Sequence, residues 1–267
     1  MAVKSANMKH IMGIVHAIIL GIVEGVTEFL PISSTGHLIL ASRLLDLGNA
    51  EFIKTFEIFI QCGAIAAVLT LYWKQLLLNK AVMKRVVIAF IPAAAIGFIL
   101  YKFIKHFLIG NDKVVIVSLL LGGIVLIAFE KWHRPLQETE REIESMTYVS
   151  AFLIGAGQAV AVIPGVSRSA ATILAGLFSG LSRKAAVEFS FLLAAPTIAA
   201  AAAYDFFKTA PSFNNQEFLL LAIGCAVSFI IAMVTIKLFL AFVRSRTFIP
   251  FGVYRILAAL AFIPFMF

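Results

Sequence analysis

Ten apolar runs divide this 267-residue chain: 11–30, 36–47, 55–73, 86–108, 114–129, 149–163, 169–179, 185–207, 217–241 and 248–267. A helix that crosses a bilayer needs about 20 predominantly apolar residues, and most of these runs are near that length. Composition agrees: 61% of the residues are hydrophobic and 13% charged, against roughly 45–50% and 25% in soluble domains. A soluble enzyme, a DNA-binding protein and a disordered tail are thereby excluded. The expectation is one all-α, polytopic, integral membrane domain over 1–267. Lys4 and Lys9 precede the first run as they would in a signal peptide, yet that run carries Glu24 and Glu28 and no small-residue cleavage site follows. It is expected to stay in the mature protein.

The second and seventh runs are too short to span. Each follows another run after a proline and small polar residues, Pro31-Ile32-Ser33-Ser34-Thr35-Gly36 and Pro164-Gly165-Val166-Ser167-Arg168-Ser169. Such broken pairs read as re-entrant helix hairpins. The order then repeats: a hairpin and three spans, twice. Pro31 pairs with Pro164, Ser34 with Ser167, and Glu57 with Glu188. Repeat one is placed at 1–130, a cytoplasmic connector at 131–148 and repeat two at 149–267. Three crossings per half start the second half on the opposite face, so the expected architecture is an inverted-topology repeat with its two broken loops meeting near the midplane. Non-helical backbone at that depth is tolerated only where it is buried in protein or lines a cavity.

The net charge of +8 sits mostly between the runs, which suits contact with anionic lipid; no nucleic-acid partner is expected, and a homodimer is compatible with the sequence. Basic residues favour the face that holds Lys74, Lys80, Lys84, Arg85, Lys131 and Arg183 over the face of the N-terminus. That bias puts the former in the cytoplasm and both termini outside. Cys62 and Cys225 lie inside apolar runs and suggest neither a disulfide nor a metal cluster.

Ionisable groups inside such runs cost roughly 2.5–3.5 kcal/mol each on insertion scales, so each needs a reason. Glu24 and Glu28, four residues apart, share one helix face. They read as an acid–base pair or as ligands for a divalent cation, or as a pair bound to loop backbone. Ser33, Ser34, Thr35 and Gly36 precede or open an apolar helical run. They read as ordinary N-caps or as an anion site, since a helix N-terminus presents free N–H groups. His37, one turn in, suits a general acid, a general base or a nucleophile. Arg168 must face a carboxylate or an anionic ligand, and its fork matches phosphate. Ser167, Ser169 and Thr172 add hydroxyls around it. Glu57 and Glu188 are expected to orient the loops from behind. Together these residues describe a phosphate pocket inside a bilayer, suited to a lipid phosphate or diphosphate entering sideways. The rival reading is a lipid-phosphate flippase, which would need the same arginine and helix ends but not the clustered Glu24, Glu28 and His37.

The segment Glu24-Gly-Val-Thr-Glu28-Phe-Leu-Pro-Ile-Ser-Ser-Thr-Gly-His37 resembles the signature of the bacterial undecaprenyl-diphosphate phosphatases, the bacitracin-resistance family. Pro164-Gly-Val-Ser-Arg-Ser169 with Thr172 resembles its second motif, and Glu188 to Pro196 also looks familial. Ala170 stands where the family usually has glycine. The resemblance implies hydrolysis of undecaprenyl diphosphate to undecaprenyl phosphate and inorganic phosphate, which recycles a lipid carrier for cell-wall synthesis and confers bacitracin resistance. It also implies dependence on Mg2+ or Ca2+, and a site open to the periplasmic or outer face of the bacterial plasma (inner) membrane. Carried over, Ser34 is the nucleophile or a phosphate-contacting hydroxyl. His37 and Glu28 handle protons, Glu24 holds a metal, with Glu28, or a structural water, and Arg168 meets the transferring phosphoryl group. Whether serine, histidine or water attacks stays open at this level.

Overall fold

The computed structural model describes residues 12–48, 51–103, 112–132, 141–209 and 213–265. The N-terminal segment through Ile11, positions 104–111 and the 133–140 part of the expected connector lie outside the described residues. Among the described residues there are eleven α-helices and no strand. Five stretches are long and apolar enough to cross a membrane: Glu51–Leu77, Lys80–Leu100, Asp112–Trp132, Arg183–Asp205 and Asn215–Val243. The chain is a polytopic helical membrane protein.

Helices α1 (Ile14–Thr27) and α2 (Ser34–Leu44) are the expected short pair. Helices α3 (Glu51–Phe59) and α4 (Gln61–Leu77) form one span broken at Ile60, and α5 (Lys80–Phe103) and α6 (Asp112–Trp132) follow. The second short pair is α7 (Tyr148–Gln158), extended by a 3-10 turn Ala159–Val162, and α8 (Arg168–Phe178). Then come α9 (Arg183–Thr209), α10 (Asn215–Val243) and α11 (Ile249–Phe262). Here the structure departs from the sequence reading. The tenth run gives a helix of 14 residues rather than a full span, with one 3-10 turn continuing to Phe265.

Capping side chains set several of the starts. Ser33, Thr147, Ser167 and Asn214 each accept a backbone N–H from the first turn of α2, α7, α8 and α10, satisfying donors that a helix start leaves orphaned. Large apolar side chains such as Ile91, Phe98, Leu121, Ile230 and Leu238 stay exposed, as lipid-facing residues must.

The packing is reciprocal. Helix α1 packs on α10 and α7 on α5; α4 meets α10 and α9 meets α5; α6 packs on α11 and α4 on α9. Small residues allow the close crossings. A Cβ on Gly21 or Gly25 would strike the α10 backbone at 2.7 Å, and one on Gly155 would strike the carbonyl of Ala89. Such contacts are the usual basis of helix association where lipid removes the hydrophobic drive.

Contacts also sort to two ends. At one, Met12, Leu47, Ile53 and Leu220 share a cluster, Phe52 meets Phe213, and Arg43 pairs with Asp112. At the other, Asn79 bonds Glu144, Arg85 bonds the Met146 carbonyl, and Arg183 grips both oxygens of Glu130, at 2.6 and 2.7 Å. The connecting loops of the two short pairs, 28–33 and 163–167, are brought together by Ser169 on the Phe29 carbonyl and by Arg255 on the Pro31 and Gly165 carbonyls.

Candidate functional site

The loops are joined by direct bonds. Ser169 Oγ on α8 donates to the Phe29 carbonyl at 2.7 Å. Arg168 Nη2 donates to Glu28 Oε1 at 2.6 Å, and its Nη1 to the Ser190 carbonyl on α9 at 2.9 Å. The guanidinium also lies over the Phe29 ring, 5.9 Å from its centroid. The other Glu28 oxygen accepts the Ser34 hydroxyl. A continuous chain Ser34–Glu28–Arg168 therefore links the start of α2, the end of α1 and the start of α8. Arg168 Nε is buried with no hydrogen-bond partner.

Glu24, one turn back on α1, is fully buried, and neither of its oxygens meets a donor. Its side chain lies against the Glu28 carboxyl, and Arg168 and Glu57 are the other charges that act on it. A carboxyl buried against a second carboxyl is costly unless a proton or a cation is held between them. Among the described residues no three His, Cys, Asp or Glu side chains converge as a metal cage. A hard cation held by one or two carboxylates and completed by substrate oxygens needs no such cage.

His37 does not join the carboxylate chain. Its Nδ1 lies 2.7 Å from the Ser33 carbonyl and its Nε2 2.8 Å from the Tyr254 hydroxyl on α11. Ser33 sits at φ 74°, left-handed backbone for a non-glycine residue, which turns the chain sharply ahead of α2.

The remaining expected residues fall into two groups. Ser33 and Ser167 are N-caps: Ser33 Oγ accepts the Gly36 N–H at 3.4 Å and Ser167 Oγ the Ala170 N–H at 3.1 Å. Thr172 Oγ1 donates within a buried network to Ser190 Oγ at 2.6 Å, and Ser169 is committed to Phe29. Thr35 is exposed beside Ser34. Glu57 and Glu188 reach neither loop directly. Glu57 accepts from Ser42 Oγ at 2.5 Å, and Glu188 lies 3.9 Å from Lys184. Ser190 holds Arg168 from behind, two residues beyond Glu188. Ala170 lies in the first turn of α8, and its φ is not positive, so the missing glycine creates no strain.

Sequence reasoning gave Arg255 no role. It is 1% exposed, and all four of its acceptors are main-chain carbonyls: Pro31 at 3.3 Å, Gly165 at 3.1 Å, Ser118 at 2.9 Å and Leu119 at 3.3 Å. One side chain ties both broken loops to α6. The cost of a charge inside an apolar run, which singles out Arg168, would have flagged it equally.

The chain matches the family model of bacitracin resistance protein BacA over residues 17–261. Among curated relatives, the undecaprenyl-diphosphatase of Aquifex aeolicus (strain VF5) is 51% identical over 249 residues, 93% of this chain and 97% of that one. The undecaprenyl-diphosphatase of Persephonella marina is 48% identical over 255 residues, 96% and 100% of the two chains. That of Bdellovibrio bacteriovorus is 45% identical over 249 residues, 93% and 94%.

Proposed function

The chain belongs to the bacitracin resistance protein BacA family, and from that premise we propose that it hydrolyses undecaprenyl diphosphate to undecaprenyl phosphate and inorganic phosphate. The Ser34–Glu28–Arg168 chain between the two broken loops carries this reading. A hydroxyl that donates to a carboxylate is the arrangement an attacking oxygen needs, since the base already faces its proton. Arg168 holds the other oxygen of the same carboxylate and its side chain is partly exposed, so its guanidinium can meet the charge on the transferring phosphoryl group. As the Ser34 Oγ–phosphorus bond forms, the proton passes to Glu28. The bond to the bridging oxygen breaks, and the negative charge leaves on undecaprenyl phosphate. Water then releases the phosphate from Ser34, with His37 nearby as a second proton handler.

Glu24 suits Mg2+ or Ca2+, because its two buried oxygens are without donors while those of Glu28 are engaged by Ser34 and Arg168. Bound there, a cation would neutralise charge on the diphosphate. The reciprocal packing and the bonds that join the two loops support the inverted-repeat architecture, with re-entrant hairpins. The basic bias of the end holding Lys74, Lys80 and Arg183 supports a cytoplasmic assignment for it. The site then opens outward, in the plasma membrane of a bacterium.

Purified protein in detergent should release inorganic phosphate from undecaprenyl diphosphate. A flippase would leave the substrate intact, because transport needs two compartments. No phosphate release by folded protein, with Mg2+ or Ca2+ supplied, would overturn the reading.

A further inference from the structure

We infer that Tyr254 is a positioning residue for the reaction, fixing the tautomer and the orientation of His37; this rests on the phosphatase reading for its consequence, though not for its geometry. The Ser33 carbonyl, 2.7 Å from His37 Nδ1, can only accept. Nδ1 therefore carries the hydrogen, and neutral Nε2 is left with its lone pair. The Tyr254 hydroxyl, 2.8 Å away, must then be the donor to Nε2. The two rings also stack, with centroids 5.5 Å apart and planes 8° from parallel. Held at both nitrogens and along one face, the imidazole has a single orientation.

A hydroxyl suits this position better than a carbonyl or a backbone N–H would, since it can both donate and accept. When Nε2 takes a proton it becomes a donor. Tyr254 answers by turning its O–H away and accepting, so the contact survives in both protonation states. Phenylalanine keeps the ring and the stack and loses only that exchange. The neighbouring residue, Arg255, reaches the Pro31 and Gly165 carbonyls. Helix α11 thus clamps the loops with one side chain and orients His37 with the next. Arg255 is the charged group that acts on His37 from α11. Glu28, at the end of α1, is bonded to Ser34, three residues before His37, and along α2 Arg43 is paired with Asp112 of α6. None of these bonds the imidazole directly; Tyr254 does.

The experiment compares wild type with Tyr254→Phe in two readouts. The first is steady-state phosphate release from a polyprenyl diphosphate across pH. The second is the 15N spectrum of labelled histidine without substrate, with His37 assigned by its loss in His37→Gln. The variant should lower kcat about 10- to 100-fold, part of the roughly 10²–10⁴ that acid–base catalysis supplies. KM should stay within about twofold, the limb of the pH profile that belongs to His37 should move, and the thermal midpoint should not. The His37 signal should pass from the pure Nδ1–H form to a mixture of tautomers. An unchanged tautomer overturns the inference even if kcat falls, because the hydroxyl would then act on substrate and not through His37. A raised kcat also overturns it, since the hydroxyl would be blocking Nε2. If wild type releases no phosphate, the phosphatase reading fails, and the 15N arm alone decides whether Tyr254 orients His37.

Discussion

Arg168 combines two demands that a lysine cannot meet together. It holds Glu28 and the Ser190 carbonyl on separate nitrogens and keeps Nε unpartnered. Arg168→Lys retains the charge but loses the planar fork. Turnover should fall about 10²–10³-fold, the scale of removing a preorganised electrostatic donor, measured as phosphate release by folded protein. Near-normal turnover would reduce Arg168 to a structural ion pair. Glu24 differs in kind, because no donor satisfies it. Glu24→Gln should depress the rate at low Mg2+ and recover part of it as Mg2+ is raised, since mass action fills a weakened site. A metal titration of the initial rate reads this directly. A loss that no Mg2+ concentration reverses would place Glu24 outside cation binding. Sequence alone found both residues by the cost of charge in an apolar run. It did not reveal that Glu28 is held by Ser34 and Arg168 while no donor reaches Glu24, because Arg168 is 140 residues away and tertiary packing decides which carboxylate it meets.

At the scale of elements, two loops without regular structure must be held in register. Three devices do this: Arg168 on Glu28, Ser169 on the Phe29 carbonyl, and Arg255 on the Pro31 and Gly165 carbonyls. Arg255→Met keeps most of the volume and removes every donor. A buried acceptor left unmade costs about 1–3 kcal/mol, so stability should drop by about 2–4 kcal/mol, and turnover should fall with it. Thermal unfolding in detergent tests the first part. An unchanged midpoint would mean that the other two devices suffice. A Cβ on Gly122 would overlap the Arg255 guanidinium, so a glycine one turn along α6 makes the arginine's path possible.

On the proposed inverted-repeat architecture, crossing helices join two ends of the molecule with the two loops between them. Orientation is testable with exposed positions at each end, Asn214 before α10 and Ser245 after it. With Cys62 and Cys225 replaced by alanine, a cysteine at 214 should react with an impermeant thiol reagent in intact cells. One at 245 should react only after lysis. The opposite pattern would place the active-site mouth in the cytoplasm.

The number and length of apolar runs were enough for an all-helical membrane fold, because a bilayer leaves few options to a backbone that must bond to itself. The two proline-bearing motifs were enough to name the loops and most of the candidate site, since unpaired charge and hydroxyl clusters are conspicuous against lipid-facing sequence. The reach of the last run was not legible: hydropathy extends to Phe267, while the helix itself closes at Phe262. Nor were the partners. That Glu57 binds Ser42, and that Tyr254 and Arg255 serve residues more than 80 positions away, depend on how helices pack, whereas the Ser33 and Ser167 caps are local and the hydroxyls before each short helix already suggest them. Hydropathy is a property of each residue and its neighbours along the chain. A hydrogen bond between helices depends on crossing geometry, which here follows from small residues at the contacts and is settled only when the whole bundle assembles.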